Sequence, residues 1–154
     1  MTVSANQQYC TFSVDGMCFG IDVQKVQEAI RFQEMTRVPL ADPTIRGLIN
    51  LRGQIVTAVD LRLRLGLTPR EGDRQPMNVI LRTDDGPVSL LVDEVGDVLQ
   101  VNSDQFESPP DRLTGIAREV VSGVYKLEGC LLLILDTERV LEIDESKLEN
   151  SHAA

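Results

Sequence analysis

The sequence has no tryptophan and one histidine, and aromatic side chains make up only 4% of its 154 residues. The single histidine, His152, stands close to the end of the chain among small and polar residues. Acid–base chemistry by histidine and histidine-containing metal sites are therefore poor hypotheses. The sequence contains neither a phosphate-binding loop of the Walker type nor a nucleophile elbow. We expect no catalytic residue, no metal and no cofactor.

Cysteine is scarce and long apolar runs are absent. Three cysteines, Cys10, Cys18 and Cys130, form an odd set without metal-ligand spacing. Such a set is typical of reduced thiols that are buried as small apolar side chains in a cytosolic protein. No apolar run approaches the ~20 residues of a membrane-spanning helix, and the N-terminus has no signal-peptide pattern. We expect a cytoplasmic protein with no membrane insertion.

Positive charge is also in short supply, because 24 acidic residues stand against 15 basic ones and the formal net charge is −9. This excess repels nucleic-acid phosphates and anionic lipid surfaces. Apolar residues make up 42% of the chain, which is normal for a packed globular core. With so few aromatic residues, that core must consist of Val, Leu and Ile, which favours strands. We expect a mainly β protein that does not bind nucleic acid.

One segment of the sequence occurs twice, 76 positions apart, as residues 47–60 and 123–136. Four pairs are identical: Gly47/Gly123, Leu51/Leu127, Gly53/Gly129 and Asp60/Asp136. The positions between these landmarks also match in apolar character, and a similar offset relates the segments that follow Gly16 and Gly86. The chain is therefore predicted to contain one unit used twice.

The unit consists of short strands joined by glycine turns. Gly53 and Gly129 are predicted in equivalent turns, because a positive φ is inexpensive without a Cβ. Alternating apolar residues and turn signals predict two hairpins and, after these turns, two strands that are apolar on both faces and therefore interior. The hairpin turns are 15–16 and 84–86, and the interior strands are 54–59 and 131–135.

Three aspartates are predicted to cap helices, because Asp is a leading N-cap residue. Asp60 and Asp136 stand where an apolar strand gives way to a short helical stretch, 61–65 and 137–141 respectively. Asp22 is predicted to cap a longer helix, 23–32, whose apolar residues Val23, Val26 and Ile30 lie on one face.

Each repeat has room only for a small barrel, and the two barrels are predicted to share a core. The first barrel is expected at about 8–68 and the second at about 77–146, with exchange of strands between the halves left open. Segment 66–76 is predicted to be a polar linker, because it carries Gly and Pro among charges. Arg70 in this linker is expected to be a surface residue of little importance. The ends, 1–7 and 147–154, are predicted to be flexible.

An ordered set of short motifs resembles the CheW family. The motifs are Phe19-Gly-Ile-Asp-Val-Gln-Lys-Val-Gln-Glu28, Arg37-Val-Pro39, Gly47-Leu-Ile-Asn-Leu-Arg-Gly53, Val59-Asp-Leu61 and Leu91-Val-Asp-Glu-Val95. The resemblance covers roughly residues 8–143 and implies two SH3-like five-stranded β-barrels on a shared hydrophobic core, with short helices. It also implies a non-catalytic cytoplasmic adaptor. Such an adaptor couples the cytoplasmic tip of chemoreceptors (methyl-accepting chemotaxis proteins) to the regulatory domain of the histidine kinase CheA in membrane-associated arrays.

The resemblance further implies a partner-binding surface. The family positions that match Val26, Glu28, Gly47 and Arg52 lie at or beside the receptor-coupling surface, and each carries a usual residue type here. From the residues alone, Glu28 is equally a solvated side chain, Arg52 an exposed turn residue and Gly47 a backbone turn. These structural interpretations stay open at this point.

The sequence also suggests alternatives to this adaptor. Asp60 and Asp136 imitate the aspartate pair of a duplicated protease, but neither is followed by the Thr/Ser-Gly turn that such a site needs. A CheW-like module of a pilus or other non-flagellar pathway remains open, as does a regulatory domain that binds a ligand or inhibits an enzyme. A filled interior of Val, Leu and Ile speaks against a small-molecule pocket.

Overall fold

The computed structural model describes residues 6–72, 74–111 and 113–142. Most of the two ends that were predicted to be flexible, 1–5 and 143–154, therefore lies outside the described residues. Asn6 and Gln7, which were assigned to the flexible N-terminus, belong to the first strand instead.

The described residues form ten strands and three short α-helices. The strands are β1 Asn6–Val14, β2 Met17–Asp22, β3 Val26–Ile30, β4 Ile45–Leu51, β5 Gln54–Asp60, β6 Met77–Leu81, β7 Val88–Val92, β8 Glu94–Asn102, β9 Val121–Leu127 and β10 Cys130–Leu135. The helices are α1 Leu61–Arg64, α2 Gly115–Val120 and α3 Thr137–Val140, and single 3₁₀ turns cover Val23–Lys25 and Ser103–Gln105.

The strands form two five-stranded sheets, in the order β8-β1-β2-β10-β9 and β3-β6-β7-β5-β4. The mainly β prediction with two five-stranded units is confirmed. The repeats do not coincide with the sheets, however, so 8–68 and 77–146 do not each form one barrel. Each sheet combines the first hairpin of one repeat with the last three strands of the other. The physical reason is the parallel pairing of β2 with β10 and of β5 with β7, which joins strands of different repeats.

The predicted repeat is confirmed at the level of individual elements. β4, β5 and α1 recur 76 positions later as β9, β10 and α3. Gly53 and Gly129 lie in equivalent turns with φ of 87° and 86°. Both capping predictions also hold: the Asp60 carboxylate accepts the N–H of Arg62 at 2.9 Å, and that of Asp136 accepts the N–H of Glu138 at 3.0 Å.

The glycines that open the repeated segment make room for a crossing chain. A Cβ on Gly47 would lie 2.7 Å from the carbonyl oxygen of Thr36, and a Cβ on Gly123 would overlap the ring of Phe106. At these places Thr36 forms a backbone bridge with Leu48, and an equivalent bridge forms beside Gly123. Only a residue without a side chain permits this close approach.

The main core lies between the two sheets. It joins side chains of the first sheet, such as Phe19 and Leu133, to side chains of the second, such as Leu81 and Leu90. Each sheet also carries a smaller apolar cluster of its own. The cluster of the first sheet includes Leu132, and that of the second sheet includes Val56. Successive residues of β10 therefore enter different clusters, which confirms it as an interior strand that is apolar on both faces. Burying one Leu side chain contributes about 1.5–3 kcal/mol.

The helix predicted from Val23 to about Phe32 is wrong. Asp22 does act as a cap, since its carboxylate accepts the N–H of Gln24 at 2.9 Å, but the turn that it caps ends at Lys25. The chain continues as β3, which pairs with β6. The residues that suggested one helical face, Val26 and Ile30, also fit a strand, and short apolar patterns do not distinguish the two. Pairing with β6 decides in favour of the strand.

The prediction of buried cysteines holds only in part. All three are free thiols, but Cys10 and Cys18 are half-buried and Cys130 is exposed. Cys130 begins β10 directly after the Gly129 turn, where the strand has not yet entered the core. Sequence position within the strand, rather than residue type, determines its exposure.

A buried ionic network connects segment 66–76 to the sheets. Arg62 donates to both carboxylate oxygens of Asp93, at 2.9 and 2.7 Å. Arg70 donates from Nε to Asp93 at 2.9 Å and from Nη1 to Asp60 at 3.2 Å. The expectation that Arg70 is an unimportant surface residue is wrong, because its side chain is only 9% exposed and pairs with the buried Asp60 and the partly buried Asp93. The charged side chain of Arg70 therefore attaches the polar linker to the rest of the fold.

Asp93 stays ionised because of these partners. Burial alone raises its pKa, but the hydrogen bonds from Arg62 and from the Asp15 N–H, together with the Arg70 charge, lower the pKa to about 2. A carboxylate with a lowered pKa stabilises the folded state above its unfolded pKa and loses that contribution as the pH falls through the folded value.

We predict that Asp93 contributes to acid sensitivity. The difference in unfolding free energy between the parent and Asp93→Asn should be largest above pH 4 and should shrink as the pH falls from about 4 towards 2, where the folded carboxylate protonates. Urea unfolding at a series of pH values measures this. A difference that stays constant over the range would show that Asp93 keeps no lowered pKa.

The two capping aspartates should respond differently to removal of their charge. Asn retains the capping oxygen, so Asp136→Asn should change the unfolding free energy by a few tenths of a kcal/mol. Asp60→Asn also leaves the buried Arg70 with one charged partner fewer, and breaking a buried ion pair costs about 3–5 kcal/mol. Denaturant unfolding of both variants tests this. Equal effects would mean that capping is the only role of Asp60.

A candidate partner-binding surface

An exposed ion pair between Arg52 and Glu28 joins the two edge strands of the second sheet. Glu28 lies on β3, and Arg52 lies in the turn between β4 and β5. The guanidinium donates from Nη1 to Oε1 of Glu28 at 3.1 Å and from Nη2 to Oε2. Because β3 and β4 are the first and last strands in the sheet order, the pair brings the two ends of the sheet together. This contact is what a sheet closing into a barrel requires.

Both partners are held in their charged forms. Hydrogen bonds from Arg52 and Gln27 lower the pKa of Glu28, and the hydrogen bond to Glu28 raises the pKa of Arg52. The Arg52 side chain is nevertheless 66% exposed, against 26% for Glu28. The pair therefore presents mainly the guanidinium to a partner.

The backbone of Arg52 is in the left-handed region, with φ of 51°, and Gly53 follows with φ of 87°. Positive φ at both central residues is typical of a two-residue hairpin turn of type I′, in which Asn, Asp or Gly is preferred at the first position. Asn50 supports the turn, since its side-chain oxygen accepts the N–H of Gly53 at 2.8 Å. Arginine is an unfavourable residue for this conformation.

The equivalent turn in the second repeat does not use this conformation. Glu128 stands where Arg52 does in the first repeat, 76 positions earlier. Among the residues that the structure describes, the only ones other than glycine with positive φ are Asp15, Leu40 and Arg52. The same hairpin is thus closed at Gly129 without a left-handed side-chain residue before it. The two equivalent hairpins therefore close with different backbone conformations, and only the first places a left-handed residue with a side chain at its tip.

The other two predicted binding residues, Val26 and Gly47, are not part of this exposed pair. Val26 is half-buried and packs on the shared core. Gly47 is buried in β4, where it admits the crossing chain at Thr36. Direct contact with a partner is therefore a prediction for Glu28 and Arg52, whereas Val26 and Gly47 have a packing role that places β3 and β4.

A cleft of about 790 Å³ lies beside the shared core, on the face of the second sheet that carries Val59, and it includes Ile55, which follows Arg52 by three residues. Its walls come from β4, β5, the β6–β7 loop and α3 of the other repeat; they include Ile45, Ile55, Thr57, Arg82, Pro87 and Leu141. Ile55 is 62% exposed, although its strand was predicted to be interior. The cleft was not predictable from the sequence, because its α3 wall comes from a distant part of the chain. The one signal of this cleft in the sequence was Ile55, a large apolar residue only two positions after the Arg52–Gly53 turn.

Two further features bear on function. Within 6–72, 74–111 and 113–142, no three His, Cys, Asp or Glu side chains are grouped so that they could hold a metal ion. None of the helices in the same ranges is both long and apolar enough to cross a membrane.

Comparison with known proteins identifies the class. The family model described as the CheW-like domain matches residues 8–145. The chemotaxis protein CheW of Bacillus subtilis is 32% identical over 145 residues, which cover 94% of this chain and 93% of the relative. CheW of Treponema pallidum is 31% identical over 156 residues, covering 97% and 92%. The crystal structure of the scaffolding protein TtCheW from Thermoanaerobacter tengcongensis superposes with a TM-score of 0.81 at 26% identity, covering 91% of this chain and 95% of the other.

The fold and its relatives thus define a chemotaxis scaffold of the adaptor type. The chain belongs to the CheW family, as the resemblance of its motifs indicated, and the family match extends over nearly all of the described residues.

Proposed function

We propose that this chain is a non-catalytic cytoplasmic adaptor that couples the cytoplasmic tip of chemoreceptors to the regulatory domain of the histidine kinase CheA. The receptor contact lies at Arg52 and Glu28. The observation that carries this assignment is the exposed side chain of Arg52 on a left-handed backbone. Glu128, at the equivalent position of the other repeat, does not have a positive φ.

The chemistry of the surface supports binding of a protein partner. Arginine has five N–H donors, and the ion pair with Glu28 uses two nitrogens, so the exposed guanidinium retains donors for a second partner. Arginine is enriched among the residues that dominate interface energetics. The neighbouring cleft is lined by apolar residues such as Ile45 and Ile55 together with charged residues such as Arg82, and interfaces combine apolar and polar side chains in this way. Ile55 of the cleft follows Arg52 by three residues, so one receptor tip would contact both.

Recruitment to membrane-associated receptor arrays follows from the same proposal. The chain would reach the membrane only through its receptor, because its net charge of −9 opposes direct binding to anionic lipid. The alternative setting for the same adaptor is a non-flagellar chemosensory pathway, such as one that controls pili.

Substitution of Arg52 should separate binding from stability. Arg52→Ala and Glu28→Ala should each weaken binding of a receptor-tip fragment by tenfold or more, since truncated interface hot spots have effects of this size. Arg52→Asn should weaken binding equally while its Tm stays the same or rises, because Asn accepts the left-handed conformation better than Arg does. Isothermal titration calorimetry and thermal unfolding measure the two properties.

Two controls make the test specific. Arg74→Ala removes an exposed arginine from segment 66–76 and should alter neither binding nor Tm. The double exchange Arg52→Glu with Glu28→Arg retains an ion pair but moves the positive charge onto β3. If the pair is only structural, this variant should bind like the parent; a receptor contact at Arg52 requires that it does not. Parent-like binding by Arg52→Ala would remove the proposed contact.

A further inference from the structure

The two equivalent hairpins differ in the residue that stands two positions before the left-handed or equivalent turn residue. In the first repeat this residue is Asn50, and in the second repeat it is Lys126, 76 positions later. Asn50 is exposed on β4, so burial in the core does not explain an amide side chain at this place. The receptor contact proposed above, at Arg52 and Glu28, does not use it either.

The hairpins nevertheless have the same length and the same strand register. In each of them the last residue of the first strand pairs with the first residue of the second strand, and these pairs are Leu51/Gln54 and Leu127/Cys130. The second turn residue is a left-handed glycine in both, Gly53 and Gly129. The first turn residue differs, because Arg52 has a positive φ and Glu128 does not. Neither strand pairing nor the glycine accounts for this difference.

The side chain of Asn50 forms a hydrogen bond for which the second hairpin has no equivalent donor–acceptor pair. Oδ1 of Asn50 accepts the N–H of Gly53 at 2.8 Å. A lysine side chain has three N–H donors and no acceptor, so Lys126 cannot accept from the N–H of Gly129. The peptide group that precedes the turn glycine is therefore held by a side chain two residues before the turn in the first hairpin only.

Holding this peptide group restricts the backbone of Arg52. The orientation of the group depends on ψ of Arg52 and φ of Gly53, since these are the soft dihedral angles on its two sides. The cost of one left-handed residue with a side chain and the net contribution of one hydrogen bond are of the same order. The hydrogen bond from Gly53 to Asn50 is therefore large enough to offset the unfavourable conformation of Arg52.

The conformation of Arg52 in turn determines where its guanidinium lies. On the left-handed backbone the two terminal nitrogens donate to the two carboxylate oxygens of Glu28, on the other edge strand of the sheet. A change of φ at Arg52 rotates its Cα–Cβ bond relative to β4 and directs the side chain elsewhere. A two-point pair between arginine and a carboxylate depends strongly on geometry, so such a rotation would separate the two groups.

We propose that Asn50 is a positioning residue of the receptor surface: its side-chain oxygen holds the turn so that Arg52 stays left-handed, pairs with Glu28 and presents its guanidinium to the receptor tip. Asn50 acts through Arg52 and not by contact with the receptor. This inference rests on the proposed receptor contact at Arg52 and adds the residue that orients it. A receptor then meets an arginine that already has its binding conformation, which reduces the cost of ordering on binding.

The first test uses NMR on the free full-length chain. Asn50→Ala removes the acceptor, whereas Asn50→Asp retains one. A left-handed residue gives a strong NOE between its own amide and α protons, so this NOE of Arg52 should be strong in the parent and in Asn50→Asp and should weaken in Asn50→Ala. The hydrogen bond from Arg52 lowers the pKa of Glu28 in the parent, and that pKa should rise towards its ordinary value in Asn50→Ala.

The second test is binding of a receptor-tip fragment, measured by isothermal titration calorimetry. Affinity should fall about fivefold in Asn50→Ala, because loss of one hydrogen bond leaves the binding conformation only partly populated. Asn50→Asp should restore the parent's affinity. Asn102→Ala is the matched control, since Oδ1 of Asn102 accepts the N–H of Asp104 at 2.9 Å in the turn after β8, in the other sheet. It removes the same kind of hydrogen bond and should change neither the NOE of Arg52 nor binding.

The two tests separate the inference from the proposed function. If Asn50→Ala leaves the NOE of Arg52 and the pKa of Glu28 at the parent's values, Asn50 does not position Arg52 and the inference is refuted. Loss of the NOE in Asn50→Asp as well would also refute it, because the acceptor would then be irrelevant. If the NOE and the pKa change but the affinity for the receptor does not, the proposed contact at Arg52 fails, and the role of Asn50 in binding fails with it. Changes in all three properties in Asn50→Ala, with Asn50→Asp and Asn102→Ala like the parent, support the inference.

Discussion

The apolar core between the two sheets is the constraint on which the other features depend. Residues such as Phe19 and Leu90 meet there from different sheets, and neither sheet could cover its apolar face alone. Parallel pairing of β2 with β10 and of β5 with β7 fixes the interior strands against this core. The outer strands and turns are then free to carry binding residues. The charged network around Asp93 secures the chain where it passes from one sheet to the other.

The candidate binding surface follows from this arrangement. β3 and β4 are the edges of the second sheet, and the sheet curves so that Glu28 on β3 meets Arg52 in the β4–β5 turn. Gly47 allows the intervening chain to cross β4 closely enough for the edges to meet. Two non-glycine residues with positive φ, Arg52 and Leu40, lie beyond opposite ends of β4.

Much of the fold was predictable because identical landmarks repeat at one spacing. The turns at Gly53 and Gly129 and the caps at Asp60 and Asp136 depend on local backbone chemistry, which residue type reports well. The helix at Val26 and the surface position of Arg70 were wrong, because pairing with β6 and burial against Asp93 are tertiary effects. Family resemblance led to Glu28 and Arg52. The left-handed conformation of Leu40 was not predictable from the sequence, because nothing in a leucine side chain favours a positive φ.

Along the sequence, the strands of the second sheet lie between the early and late strands of the first sheet, and this sets the order in which the two sheets can form during synthesis. All strands of the second sheet lie between Val26 and Val92, whereas the first sheet needs β1 and β2 from the start of the chain and β10, which ends at Leu135. On the ribosome the second sheet can form before β8, β9 and β10 have been synthesised. The β1–β2 hairpin then lacks its partner strands for about a few seconds at ordinary elongation rates. During that interval the apolar face of the hairpin is exposed, and the closing parallel pair is a slow, long-range contact. Synthesis of β9 and β10 thus determines when the first sheet, and with it the core between the sheets, can be completed.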